Sequence, residues 1–348
     1  MKTTLRFRPG LLRGPQLRRA RRPRGIRTPT KAVGPPQRLA GHDPCSPLPE
    51  TIANATPPEE PRPRDNRPTT ERSTMFTIHN DANATADDQR RYERLMEAAI
   101  PLAADLSQLP LPDRITVRIA TPQQFVAWQV EHYKLIIGRG VDSLGLGGVK
   151  RRLLKTTATM VGTSKGRAMT AKYAPMVQGA IIWRSEGPAL VVMPDSHAES
   201  RGTDRLVTCC LAHEITHLAQ FELNPALAYA VMRFGLQDKK AAHDERRAPA
   251  AVIEGHASWV QARASERLCG IATRDRLDDE PEPSELFTRL TAESPRTDAY
   301  DLGEKFIAAV YNHGGFQLIE RLLKDEDLMP TNREIQDPAI WLDRHQDV

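Results

Sequence analysis

His213, Glu214 and His217 stand in the order H-E-x-x-H within TDRLVTCCLAHEITHLAQF, residues 203–221. On a helix, two imidazoles four residues apart lie one above the other on a single face, because one turn holds 3.6 residues. That spacing lets both rings reach one tetrahedral zinc. Glu214 points about 100° further round, beside such a metal, where its carboxylate can take a proton from a water that the metal activates. A catalytic zinc keeps three protein ligands and an open fourth position, so one more ligand must come from a later element. In APAAVIEGHASWVQARASERL, residues 248–268, Glu254 stands among Val252, Ile253 and Ala257. A carboxylate buried there without a partner is costly, and a cation accounts for its presence. His256 is the rival, as a ligand or as a cleft residue that hydrogen-bonds substrate. A donor for a developing oxyanion is also needed. Tyr300 in YDLGEKF is one candidate and His256 the other, although Tyr300 also reads as a half-buried aromatic anchoring a helix over 302–313.

These side chains need elements to hold them. Leu206, Val207, Cys210, Leu211, Ile215 and Leu218 fall mostly at steps of three and four, which predicts a buried helix. Thr203 or Asp204 serves as its N-cap, and Pro225 lies just past its end. Upstream, ADDQRRYERLMEAAIPLAAD (86–105) predicts a helix interrupted at Pro101, and RITVRIA (114–120) alternates as a half-buried strand does. Thr121 and Pro122 then open a helix through about Ile137. Val177 to Trp183 and Ala189 to Met193 predict a hairpin turning at 184–187. Sheet therefore precedes the metal helix, and an edge strand there is a place where an extended peptide could pair. Residues 138–175 read as a mobile, glycine-rich insertion over the cleft; GLGLGG and GTSKGR fit no phosphate loop. No acidic residue lies between Asp142 and Glu186, and the cations of that stretch predict a solvated face ahead of a nucleic-acid patch. Past an exposed connection over 274–296, a helical face ends at Gly314-Gly315, another helix covers 316–323, and a short one closes the chain at Trp341. The class is α+β, mostly helical, with a small sheet before the H-E-x-x-H helix.

The net charge of +5 in 348 residues is unevenly placed. Residues 1–74 carry 16 Lys and Arg against 6 Asp and Glu, 14 of the 28 prolines and one aromatic, Phe7; the remainder carries 33 against 38. Such a segment cannot bury enough apolar surface to offset chain entropy, which predicts a disordered basic tail. Ordinary globular composition begins at Met75, so a natural start there, with 1–74 an upstream extension, fits the same pattern. No apolar stretch between Met1 and Ala40 supplies a signal sequence. No run of 18 apolar residues and no C-x-x-C among Cys45, Cys209, Cys210 and Cys269 is present, which predicts a cytoplasmic chain with no membrane partner and no Cys-ligated zinc. Nucleic acid is not an expected partner.

HEITHLAQFE followed by EGHASWV resembles the gluzincin arrangement of zinc metallopeptidases, in which H-E-x-x-H gives two His ligands and a downstream helix gives a Glu. More narrowly, residues from about 176 to the end resemble an uncharacterised zincin-like family of bacterial hydrolases. That family is described as zinc-dependent metalloproteases and in places as associated with deazaflavin coenzyme biosynthesis. The matching pieces are LVVMP, HEITHLAQF, IEGHASWV, YDLGEKFIAAVYNHGG and LMPTNREIQDPAIWLDR. The resemblance implies a zincin domain over 75–348, zinc at His213, His217 and Glu254, Glu214 as general base, and a peptide or protein substrate cut at an amide bond. One position departs from it. Gluzincins often carry an acidic residue four places after the Glu ligand, hydrogen-bonded to a zinc-bound His, where this chain has Ser258. Losses of that kind weaken metal affinity or activity about 10- to 100-fold, so a weakly active or inactive zincin-shaped scaffold is the alternative.

Overall fold

Short β-prone runs and capped helices alternate along the first half of the domain. The computed structural model describes residues 75–230, 247–272, 281–292 and 297–346; the expected tail over 1–74 lies outside the described residues. Strands β1 (Met75–Asn80), β2 (Arg114–Ile119), β3 (Gly179–Arg184) and β4 (Gly187–Val192) make one sheet in the order β1-β2-β4-β3. β1, β2 and β4 are parallel, and β3 returns antiparallel to β4 through a tight turn that pairs Arg184 with Gly187. Gly187 adopts φ +125°, a conformation closed to most side chains. Ile115, Val117 and Ile119 of β2 are buried while Arg114, Thr116 and Arg118 are not, as alternation in RITVRI predicts. β1, which sequence patterning did not single out, alternates exposed and half-buried residues and pairs with β2 along its whole length.

Helix α1 (Ala86–Ser107) starts at a capping box in which Thr85 and Asp88 satisfy each other's backbone N–H. Pro101 does not interrupt it, contrary to expectation. A proline removes one N–H from the ladder, and the buried face from Leu95 to Leu106 runs straight across that gap. Helix α2 (Pro122–Asp142) has Thr121 as N-cap with Gln124 completing the box, and runs on past Ile137. Where a glycine-rich insertion was expected, α3 (Gly148–Tyr173) is a 26-residue helix. Its glycines are packing residues: a Cβ on Gly162 or Gly166 would stand 2.4 Å from Ile137 or Tyr133, so α3 lies back along α2 at close range. Then come α4 (Pro194–Ser200), α5 (Asp204–Leu223), α6 (Arg247–Cys269), α7 (Glu285–Ala292), α8 (Thr297–Lys324), α9 (Asn332–Gln336) and α10 (Pro338–Arg344). Part of the expected connection over 274–296 is thus helical. α8 breaks at Gly315 (φ 65°, ψ −160°), where the paired glycines signal a stop. Trp341 of α10 is buried against Phe306 of α8 and donates from its indole to the Leu328 carbonyl at 2.7 Å.

The H-E-x-x-H helix α5 is central: it packs on α1, α6 and β3, and Val207, Leu211, Ala212, Ile215, Leu218 and Ala219 are all buried. α6 and α8 approach so closely that a Cβ on Gly255 would lie 2.2 Å from the Gly303 carbonyl carbon, and one on Gly303 2.0 Å from the Ala251 oxygen. Backbone therefore meets backbone one residue from Glu254.

Two histidines outside the site are held neutral. His132 of α2 accepts the Trp183 N–H at its Nδ1 (2.9 Å), and burial pushes its pKa down to about 4. His197 of α4 stands 2.5 Å from the Tyr92 hydroxyl, and burial, assisted by Arg91, pushes it down to about 3. In an unfolded chain each titrates near about 6.5. Below that pH the unfolded chain takes up two protons that the folded chain refuses, so stability is intact above about pH 6.5 and falls as the pH drops toward 4. Each histidine contributes a slope approaching about 1.4 kcal/mol per pH unit. Urea midpoints measured from pH 7 to 4.5 check this, with His132→Gln expected to shed half of the paired slope.

Candidate metal centre

Residues 213 and 217 sit one turn apart on α5, so their rings emerge on the same face. The two Nε2 atoms are 3.2 Å apart with the ring planes at 83°. From α6, Glu254 brings Oε2 to 3.5 Å from each of them. Among the described residues these three are the group able to hold a metal ion. Ligand atoms 2.0–2.2 Å from a tetrahedral zinc stand about 3.3 to 3.6 Å from each other. Two edges of the triangle fall in that range and the third is 0.1 Å short of it, so the donor set fits zinc in both spacing and type. Both imidazoles are buried at 9% side-chain exposure, while Glu254 keeps 31%, so the solvent side of the triangle is the carboxylate side.

Electrostatics follow from this packing. Burial favours the neutral form of Glu254, but the charge of His217 and hydrogen bonds from both imidazoles more than offset it, holding the carboxyl well below the usual range. Burial likewise works against a charged His217, yet Glu254, with help from Glu214, pushes its pKa up to about 9. The pocket is built to hold positive charge against one half-buried carboxylate.

Gln220, which sequence reasoning passed over, sets the orientation of His217. Its amide nitrogen donates to the Ile253 carbonyl at 2.9 Å and lies 3.1 Å from His256 Nδ1. A carbonyl only accepts, so that end of the amide must be the nitrogen, and Oε1 faces His217 Nδ1 at 2.9 Å. His217 Nδ1 therefore carries a proton, and Nε2 is the nitrogen directed at Glu254 Oε2 and His213. The hint available in the sequence was spacing alone: Gln220 is three residues past His217 on the same helix. Gln220→Ala is expected to weaken zinc binding about 10- to 100-fold, read by competition with a chelator. Affinity equal to wild type would mean that packing alone orients the ring.

The remaining candidates fall in different places. Glu214 lies beside β3: a Cβ on Gly179 would come within 2.9 Å of its Cγ, so glycine at the start of that edge strand leaves room for the carboxylate next to the triangle. Tyr300, near the start of α8, is brought to His213 with ring centroids 6.1 Å apart. His256 is neither a member of the triangle nor a cleft residue. It is fully buried, bonded through Nδ1 to Gln220 and stacked on Trp259, and burial pushes its pKa down to about 3. The turn of α6 that aims Glu254 at the triangle carries His256 behind it. Ser258 is also fully buried; among the described residues its Oγ and His213 Nδ1 have no hydrogen-bond partner.

Comparison with known proteins gives the following. A search of curated proteins returns no match. Among solved structures, the crystal structure of "a putative hydrolase with a novel fold" from Chloroflexus aurantiacus is 18% identical, covers 76% of this chain and 91% of its own, and superposes with a TM-score of 0.48. That likeness is too distant to carry an argument. The family profile of zincin-like metallopeptidases matches residues 234–342, a stretch that takes in Glu254 and Tyr300 and begins after the paired histidines. Across those residues, which include α6 and the closing helices, this chain is similar to the zincin-like metallopeptidases.

Proposed function

We propose that this protein is a zinc-dependent peptidase. The observation that carries the reading is the triangle of His213 Nε2, His217 Nε2 and Glu254 Oε2, with edges of 3.2, 3.5 and 3.5 Å. Zinc held there supplies a Lewis acid that brings the pKa of a water toward about 7 and polarises a carbonyl. Everything else falls to the chain's own side chains. Glu214 takes the proton of the attacking water and hands it to the leaving amine. Tyr300, its ring centroid 6.1 Å from that of His213, donates to the oxygen on which negative charge develops. β3, the antiparallel edge strand with Gly179 against Glu214, offers its backbone to an extended peptide. His256 takes no part in contact with substrate.

Glu214→Gln tests the reading. With equal zinc in both proteins, turnover on a diverse peptide library is expected to fall about 10²- to 10⁴-fold, the usual contribution of a positioned base. Equal turnover, or none in either protein, would remove the peptidase assignment. The unpartnered Ser258 Oγ and His213 Nδ1 favour a second reading in that event, a zinc-holding scaffold without turnover.

A further inference from the structure

Helix α3 is unlike the rest of the domain. It carries seven Lys and Arg and no acidic residue, within a chain whose residues 75–348 are net acidic. At 100° per residue, Val149, Leu153 and Met160 fall within an arc of about 40°, and they are 85%, 69% and 67% exposed. Gly162 and Gly166, which seat α3 on Ile137 and Tyr133 of α2, lie on the roughly opposite side. The apolar stripe therefore faces away from the protein, flanked by exposed Lys150 and Arg152 and continued by exposed Arg167.

We propose that α3 docks this protein on an anionic lipid surface, with the stripe entering the headgroup region and the cations pairing with phosphates. A helix with an apolar face between cationic flanks is the physical signature of such a contact. The two other occupants fit less well. A nucleic acid would use the cations but leave the apolar stripe idle against a phosphate backbone. A second copy meeting the same face would bring Lys150, Arg152 and Arg167 against their own copies. No helix among the described residues is long and apolar enough to cross a membrane, so the contact is one of lying on the surface. It revises the expectation of no membrane partner, which rested on the lack of a span. The proposal is independent of the metal centre.

The test uses the full chain with its basic tail unchanged. Binding is measured to vesicles of phosphatidylcholine alone and of phosphatidylcholine with about a third phosphatidylglycerol, the anionic fraction at which cationic helices bind. Wild type is expected to prefer the anionic vesicles. With unchanged helix content, Leu153→Ser/Met160→Ser should lose about a hundredfold in affinity, roughly the worth of two exposed apolar chains, and Arg152→Gln/Arg167→Gln about thirtyfold, roughly the worth of two surface cations. Undiminished binding by Leu153→Ser/Met160→Ser would overturn the proposal and give the affinity to the tail. So would a dimer that dissociates in that variant. Salt-sensitive duplex DNA binding, lost in the arginine variant alone and without vesicle binding, would overturn it in favour of nucleic acid.

Discussion

Glu254→Ala is expected to leave the purified protein without stoichiometric zinc. Structural zinc sites bind with about 10–16 kcal/mol shared over their ligands, so one ligand is worth roughly 3 kcal/mol and its loss about a hundredfold to a thousandfold in affinity. Here the loss is compounded by charge. Glu254 is the carboxylate whose field raises His217, and both imidazole nitrogens approach its Oε2 at 3.5 Å. Without it, two buried imidazoles would have to hold a dication with no anion of their own. Glu254→Gln preserves shape and removes only the charge, so it should fold like wild type and still lose the metal. Metal analysis after dialysis, followed by chelator competition, reads both variants. Full occupancy in Glu254→Ala would place the third ligand elsewhere.

Gly303→Ala should destabilise the domain by about 3 to 5 kcal/mol, in the range of severe overpacking of a buried contact. The added Cβ would stand 2.0 Å from the Ala251 carbonyl oxygen and 2.9 Å from Gly255 Cα, which are backbone atoms with no rotamer to yield. α8 must then move off α6, carrying Tyr300 away from His213. For a domain of this size the melting temperature is expected to fall by roughly 10 °C, with zinc affinity falling too because Glu254 adjoins Gly255. Gly147→Ala is the control: nothing lies within 4 Å of a Cβ there and its φ of −62° suits any residue, so melting should shift by no more than about 2 °C. Equal melting of Gly303→Ala and wild type would mean that the two helices tolerate a wider crossing.

What the sequence made legible was local. The spacing of His213, Glu214 and His217 follows from one helical turn, and the cap Thr121 acts within three residues of itself. The strand RITVRI shows its buried face by alternation. What stayed hidden required two distant segments at once. Gly162 and Gly166 lower helix propensity by about 1 kcal/mol each, so α3 looked like loop until Ile137 and Tyr133 of α2 are seen filling the space that side chains would need. Pro101 looked like a break because the apolar face that carries α1 past it gains its value from packing. Gln220 matches no motif: an amide on a helix is ordinary until Ile253 and His256, more than thirty residues on, fix which end is oxygen. His256 had the right type and neighbourhood for a site residue, and only the turn of α6 separates it from Glu254.

The Trp183 amide, already engaged by His132, marks where the sheet edge stops being available. From Gly179, next to Glu214, to that point is four residues, about 13 Å of strand. A chain threading alongside β3 would find a berth of that length and then meet imidazole and the flank of α2, giving the cleft a blind end and a built-in measure of how much polypeptide fits on that side.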